Sequence, residues 1–301
     1  MSKKAIFICG PTAVGKTDVS LKLAEWLKTE IISFDSRQFF RELQVGSAPP
    51  SFEEQQRIPH HFIGHLSVAQ DYNAGDFEQE ALRLMEKLFQ EKDTVILVCG
   101  SGLYMKALTE GFDDMPDVNP VIRTELNRKF LNEGIENLQK ELKEKDPDYF
   151  QKVDIKNPQR IIRALEVIRS TGKPYSGFRK REKADRPFRI LKIGIELPRP
   201  ELYQRINKRV EAMLDHGLEK EVRSLEAYRD KNALKTVGYK EFFQFFDEEI
   251  SREEAVKEIQ KNSRRYAKRQ LTWFKRDPEI TWFSPYNLAA IQSYIIRQWD
   301  S

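Results

Sequence analysis

Residues 10–17 read GPTAVGKT, a spacing of glycines, lysine and threonine that suits the holding of a phosphate group. Gly10 and Gly15 let the backbone turn its amides inward around an anion, Lys16 adds a point charge at the outer phosphate, and the Thr17 hydroxyl suits a bound magnesium ion. Pro11, Thr12, Ala13 and Val14 complete this cradle. A second chemical group stands one strand later, Asp35 in EIISFDSRQFF. A carboxylate there could orient magnesium or take a proton from a nucleophile attacking beside the phosphate; it could also simply cap a helix beginning at Ser36. Gln38 follows at helical spacing, with an amide able to read a base edge through paired donor and acceptor bonds, although an isolated glutamine is more often a surface residue.

A nucleotide is the default ligand for such a cradle, but two absences weaken it. In nucleotide hydrolases a further strand usually ends in an aspartate that helps hold magnesium, whereas TVILVCGSG ends in Cys99 and Gly100. No guanine-reading motif occurs either. A small-molecule kinase explains residues 10–35 well, and a protein that binds RNA over a relict cradle is a third reading, opposed by the intact Lys16 and Thr17.

The elements that must position these groups alternate between strand and helix from residue 4 to 110, the pattern of a parallel sheet covered on both faces. Strands are predicted at 4–9, 30–34 and 94–98, and helices at 16–28 and about 74–91, with 42–72 irregular. After GFDDMPDVNP the pattern changes to consecutive helices over 120–172, broken at Gly134 and Pro147. NPQRIIRALEVIRSTGKP carries a full set of helix signals, with Asn157 as cap, Pro158 in the first turn, Gly172 as terminator and Pro174 beyond it. FRKREKADRPFR is charged and poorly patterned, which reads as a mobile connection. A strand resumes at ILKIGIEL; the chain beyond residue 199 is mostly helical, a long helix opens at a capping box of Ser251 and Glu254, and ITWF supplies a last strand. The fold class is therefore α/β, a parallel sheet flanked by helices (1–117 and 188–301) with an inserted all-helical domain at 118–187.

Composition sets the outer limits. The chain has 301 residues, 33% of them charged, and its longest apolar runs, AIFICG and TVILVCG, fall far short of the ~20 residues a membrane-spanning helix needs. MSKK leads straight into a strand rather than a cleavable signal. A cytoplasmic protein that does not engage membranes is expected, acting as a monomer. Cys9 and Cys99, each at the end of an apolar strand, read as buried thiols in a reducing compartment. His60 and His61 lack a third metal ligand at recognisable spacing, so packing or hydrogen bonding is expected of them. The net charge of +4 implies no partner by itself, but KNSRRYAKRQLTWFKR at 261–276 holds seven basic residues and no acidic one. That run is either the solvated face of a helix or a phosphate rail for RNA built on Arg264, Arg265, Lys268 and Arg269.

GPTAVGKT, IISFDSRQ, CGSGLYMKAL, NPQRIIRALE, TVGY and AKRQLTWFKR, in this order, resemble the tRNA dimethylallyltransferase family from about residue 4 to 283. Six ordered motifs are far more specific than one cradle. The resemblance implies a P-loop NTPase-like sheet, a magnesium ion, and transfer of a dimethylallyl group from its diphosphate to the exocyclic amine of the adenosine just 3′ of the tRNA anticodon. The cradle would then hold the prenyl diphosphate, and a missing strand-end aspartate makes sense because no water attacks a γ-phosphate.

Carried over residue by residue, the resemblance makes Asp35 the acid that accepts the amine proton, with Lys16 at the departing diphosphate and Ser101 beside the reacting centre. Ser36, Arg37 and Gln38 complete the stretch that meets the target base. Arg123 and the stretch Gln159, Arg160, Ile161, Ile162 and Arg163 match tRNA contacts, to which the anticodon stem-loop would bind. The chain departs from the family pattern in places: GSAPP at 46–50 replaces G-T-A-K-P and lacks its lysine, Phe40 replaces a tyrosine, and Cys99 a glycine. Ser101 stands for the threonine of GGTGLY and keeps its hydroxyl.

Overall fold

The computed structural model describes residues 3–113, 115–179 and 183–300. The chain divides into two compact units, 1–109 with 185–301, and 110–184.

The larger unit is built on a parallel sheet. In chain order its first elements are β1 (Lys4–Cys9), α1 (Lys16–Leu27), β2 (Ile31–Ser33), α2 (Phe52–Arg57), β3 (His60–His61), α3 (Ala74–Glu91), β4 (Thr94–Cys99) and α4 (Gly102–Glu110). The strands stack in the order β3-β2-β4-β1, and β1 runs in register with β4 from Lys4↔Thr94 to Cys9↔Cys99. Residues 5–9 of β1 are all fully buried, because helices cover both faces of a parallel sheet and leave no solvent side for polar alternation. Cys9 is buried as expected; the side chain of Cys99 lies outside the described residues. Within the region expected to be irregular, α2 is fixed by a capping box of Ser51 and Glu54. β3, only two residues long, is too short to show a period in sequence. The helix expected from Ser36 is instead a turn over residues 36–39.

The helical unit contains α5 (Pro120–Glu133), α6 (Glu136–Lys145), α7 (Pro147–Phe150) and α8 (Pro158–Thr171), closed around its own core of Leu126, Leu138, Leu142, Ile161, Ile162 and Leu165. Asn119 and Asn157 cap α5 and α8 with proline in the first turn, the arrangement that satisfies orphan amides at no cost in backbone donors. This unit begins ahead of the expected residue 118, where Gly111 at φ 78° follows the end of α4. Residues 180–182, inside the segment expected to be a mobile connection, lie outside the described residues. Arg186 of the same segment is held by Glu78 and by the Leu108 carbonyl at 2.9 Å.

The chain then returns to the sheet through β5 (Arg189–Ile195), followed by α9 (Arg199–Asp215), α10 (Leu218–Ser224), α11 (Tyr239–Phe246), α12 (Arg252–Phe274), β6 (Thr281–Phe283) and α13 (Leu288–Asp300). β5 pairs with β1 and β6 with β5, all parallel, so the sheet has six strands. The capping box of Ser251 and Glu254 opens α12 as expected. α13 was not foreseen as a separate element; Ile291 and Ile295 bury it against the sheet. No helix among the described residues is long and apolar enough to cross a membrane.

Candidate active site

The site of the larger unit is a cavity of about 850 Å³ at the C-terminal ends of β1 and β2, where open parallel sheets place their ligands. Its first wall is the turn from β1 into α1. Gly15 there has φ 101°, open to glycine without strain, and Ala13 takes a left-handed φ of 63°, a cost of the kind that accumulates at binding loops. Thr12 through Thr17 line the cavity, while Gly10 and Pro11 lie beneath them and give their carbonyls to the Lys16 ammonium at 3.0 and 2.8 Å.

The second wall is the turn after β2. Asp35 lines the cavity. One carboxylate oxygen accepts the Arg37 N–H at 3.0 Å and its carbonyl accepts the Gln38 N–H at 3.0 Å; the other carboxylate oxygen has no hydrogen bond among the described residues. Asp35 thus caps a turn and still presents an oxygen to the cavity. Ser36, Arg37 and Gln38 line it as well. Gln38 accepts from the Ser33 hydroxyl at 2.9 Å and its amide nitrogen points to the Ala48 carbonyl at 3.4 Å, so its orientation is set before any ligand arrives.

The third wall comes from far along the chain and, apart from Arg269, was not foreseen. Arg205, Lys208 and Arg209 of α9, Lys235 and Lys240 about α11, and Asn262, Ser263, Tyr266, Arg269 and Gln270 of α12 all face the cavity. Arg209 donates to the Ser47 carbonyl at 3.2 Å, and Glu221 accepts the N–H groups of Val45 and Gly46 at 2.7 and 2.9 Å and the Tyr239 hydroxyl at 2.5 Å. The departing sequence GSAPP is thereby held by Arg209 of this wall and by Glu221 of α10. Burial holds the guanidinium groups of Arg37 and Arg209 below the usual arginine range, with Asp35 pulling both back up. The cavity lining is cationic in balance, with Asp18, Asp35 and Glu241 as its carboxylates among eight lysines and arginines, an arrangement that suits an anion.

The remaining expected residues distribute as follows. Ser101 is at the turn between β4 and α4, outside the cavity lining. Of the basic residues of α12 only Arg269 lines the cavity; Arg264 donates to Asn207 at 2.6 Å, Arg265 lies 3.5 Å from Asn262, and Lys268 borders a small cleft with Leu197, Arg199 and Tyr203. In the helical unit, Arg123 and Arg163 both donate to one oxygen of Glu166, at 3.2 and 2.8 Å. Gln159 and Arg160 are exposed in the first turn of α8, but the side chains of Ile161 and Ile162 are fully buried in this unit's core. An apolar side chain at either position is needed to close that core, so the polar members of the stretch are the ones able to meet RNA. His60 bonds the Ile58 carbonyl at 2.8 Å and His61 the Glu30 carboxylate at 2.7 Å. Among the described residues no cluster of three or more His, Cys, Asp or Glu could hold a metal by itself. Magnesium fits better than an all-protein site would require, since it keeps waters and phosphate oxygens and needs few protein ligands, and Thr17 lines the cavity to provide one.

The IPP transferase family model matches residues 38–277. A tRNA dimethylallyltransferase of Cytophaga hutchinsonii is 48% identical over 98% of this chain and 97% of its own, and one of Christiangramia forsetii is 50% identical over 94% of each. Among solved structures, the tRNA isopentenylpyrophosphate transferase of Bacillus halodurans superposes with a TM-score of 0.72 at 34% identity, covering 98% of this chain and 96% of that one. A eukaryotic dimethylallyltransferase caught acting on tRNA gives a TM-score of 0.78 at 25% identity, over 96% and 75% of the two chains. The parallel sheet, the glycine-rich turn at residues 10–17 and these likenesses along the chain agree: the chain belongs to the IPP transferase family of tRNA dimethylallyltransferases.

Proposed function

We propose that this protein transfers a dimethylallyl group from dimethylallyl diphosphate to the exocyclic amine of the adenosine 3′ of the anticodon in tRNA. The observation that carries this reading is the shared cavity, which sets Asp35 opposite the cradle of residues 12–17 with Arg37, Arg205 and Arg209 around them. Its volume falls within the ~300–1,000 Å³ of small-molecule sites, room for a short prenyl diphosphate with an inserted base. Relatives spanning nearly the whole chain are tRNA dimethylallyltransferases, which sets the small-molecule kinase aside.

In the reaction a bond forms between the adenine N6 and the allylic carbon while that carbon's bond to the diphosphate oxygen breaks. The diphosphate leaves with the bonding pair, and the N6 proton passes to the open oxygen of Asp35. A neutral adenine amine is a weak nucleophile, so the barrier falls mainly by holding it in line and by stabilising the leaving charge. The cradle amides, Lys16 and the half-buried arginines supply that stabilisation. Magnesium held through Thr17 would neutralise further charge on the same diphosphate. Lys16 must exchange its bonds to the Gly10 and Pro11 carbonyls for the diphosphate. Ser36 and the fixed amide of Gln38 meet the base, and Arg123, Gln159, Arg160, Arg163 and Arg269 grip the anticodon stem-loop.

Calorimetric titration with dimethylallyl diphosphate and with ATP, each with magnesium, tests the donor. Tight binding of the prenyl diphosphate and weak binding of ATP are expected; the reverse order would return the kinase reading.

A further inference from the structure

The helix α12 lays Gln270 and Trp273 on the turn Gly100–Ser101–Gly102 at the end of β4. A Cβ on Gly100 would fall 2.1 Å from the Gln270 amide nitrogen, and one on Gly102 would fall 1.8 Å from the Trp273 ring nitrogen. Glycine at both positions is therefore a condition of this contact. Gln270 is only 7% exposed, and both ends of its carboxamide are used. Its oxygen accepts the Thr12 N–H of the cradle at 2.9 Å; its nitrogen donates to the Gly100 carbonyl at 2.7 Å. The two bonds join segments 258 and 170 residues away in sequence.

We infer that Gln270 is a positioning residue for the transfer, whose carboxamide fixes the cradle against the turn carrying Ser101. A side chain that merely filled this space would not need a donor at one end and an acceptor at the other. Removing either bond strands a poorly solvated backbone group and frees the two segments to shift against one another, and displacements of well under 1 Å matter where a leaving group must be met in line. The same helix brings Arg269 into the cavity one residue earlier, so the bracket also ties the cradle to the cationic third wall. This inference rests on the cradle being the diphosphate site.

Gln270→Glu and Gln270→Leu separate positioning from packing. Glutamate at 270 can still accept the Thr12 N–H, but its second carboxylate oxygen repels the Gly100 carbonyl; once protonated, its O–H donates there and rebuilds both bonds. Burial raises the pH at which that proton is taken up. The charged and titratable groups about the contact, Lys16, Asp35 and the Cys9 thiol from the sheet side and Tyr266 and Arg269 from α12, are present in both proteins and cancel in a ratio to wild type. The expected result is that kcat/KM for dimethylallyl diphosphate in Gln270→Glu lies about 10- to 100-fold below wild type near pH 8. That deficit should shrink about tenfold by roughly pH 6. Gln270→Leu should show a similar deficit at every pH. A ratio for Gln270→Glu that does not change with pH, or a kcat/KM for Gln270→Leu equal to wild type, overturns the inference. If Gln270→Glu does not fold, Gln270→Leu decides alone: lowered kcat with unchanged RNA affinity supports it and wild-type kcat refutes it. A wild-type protein inert towards dimethylallyl diphosphate would fail the donor reading itself, a result distinct from any of these.

Discussion

Arginines serve the two units in opposite ways. Arg37 and Arg209 of the larger unit donate to backbone carbonyls, of Asn232 at 3.0 Å and Ser47 at 3.2 Å, and burial opposes their charge. Arg123 and Arg163 of the helical unit share the buried carboxylate of Glu166 and keep 46% and 35% of their side-chain surface in solvent. Half-buried cations that lean on neutral carbonyls are poorly compensated until an anion enters beside them, so they favour a state in which charge has accumulated. Cations already neutralised in part and screened by solvent give modest, salt-dependent attraction. The first arrangement suits chemistry on a diphosphate; the second suits the holding of RNA.

Substitutions should reproduce that division. Asp35→Asn keeps the turn but removes the proton acceptor, and single-turnover transfer should fall by roughly 10²–10⁴-fold while RNA affinity stays near wild type. A near-normal rate would reduce Asp35 to a turn cap. Lys16→Ala should lower kcat by about 10²–10³-fold, the scale for losing one group that stabilises leaving charge, again with RNA binding intact; a change confined to RNA affinity would erase the distinction between the units. Arg163→Ala should leave the donor KM unchanged and weaken all RNAs similarly, with the slope of log affinity against log salt shallower by about 0.7–0.9. An unchanged slope would mean that the arginine serves Glu166 alone. The smallest effect is expected from Ser251→Ala, which removes the cap of α12 and should cost about 1 kcal/mol in chemical denaturation with kcat unchanged, since the helix end is remote from the cavity.

How much of this was legible in sequence follows from the range of the contacts. The cradle is eight consecutive residues between a strand and a helix, and Asp35 closes the next strand, so local spacing carried both. The third wall depends on packing between segments some two hundred residues apart, which no local pattern reports. A partial signal was present: Arg205, Lys208 and Arg209 are spaced by three and four on α9, and Asn262, Tyr266, Arg269 and Gln270 on α12, the spacing of one helix face. Charge counting over 261–276 merged several faces of α12, which is why Lys268 and Arg269 were grouped although they look onto different surroundings. The turn at 36–39 replaced an expected helix because Asp35 satisfies the Arg37 N–H itself, the local competition by which Asp favours turns. Ile161 and Ile162 were gathered with their polar neighbours by motif, while their periodicity on α8 assigns them to the core.

The most direct test of the account is a product assay on an isolated anticodon stem-loop with adenosine 3′ of the anticodon, dimethylallyl diphosphate and magnesium, without ATP. Mass spectrometry of the digested RNA should find one dimethylallyl group on N6 of that adenosine and one diphosphate released per group transferred, with a guanosine at the same position left unmodified. An inert stem-loop beside a reactive full-length tRNA would move recognition away from the cavity, and a requirement for stoichiometric ATP would contradict the assignment of the cradle to the prenyl diphosphate.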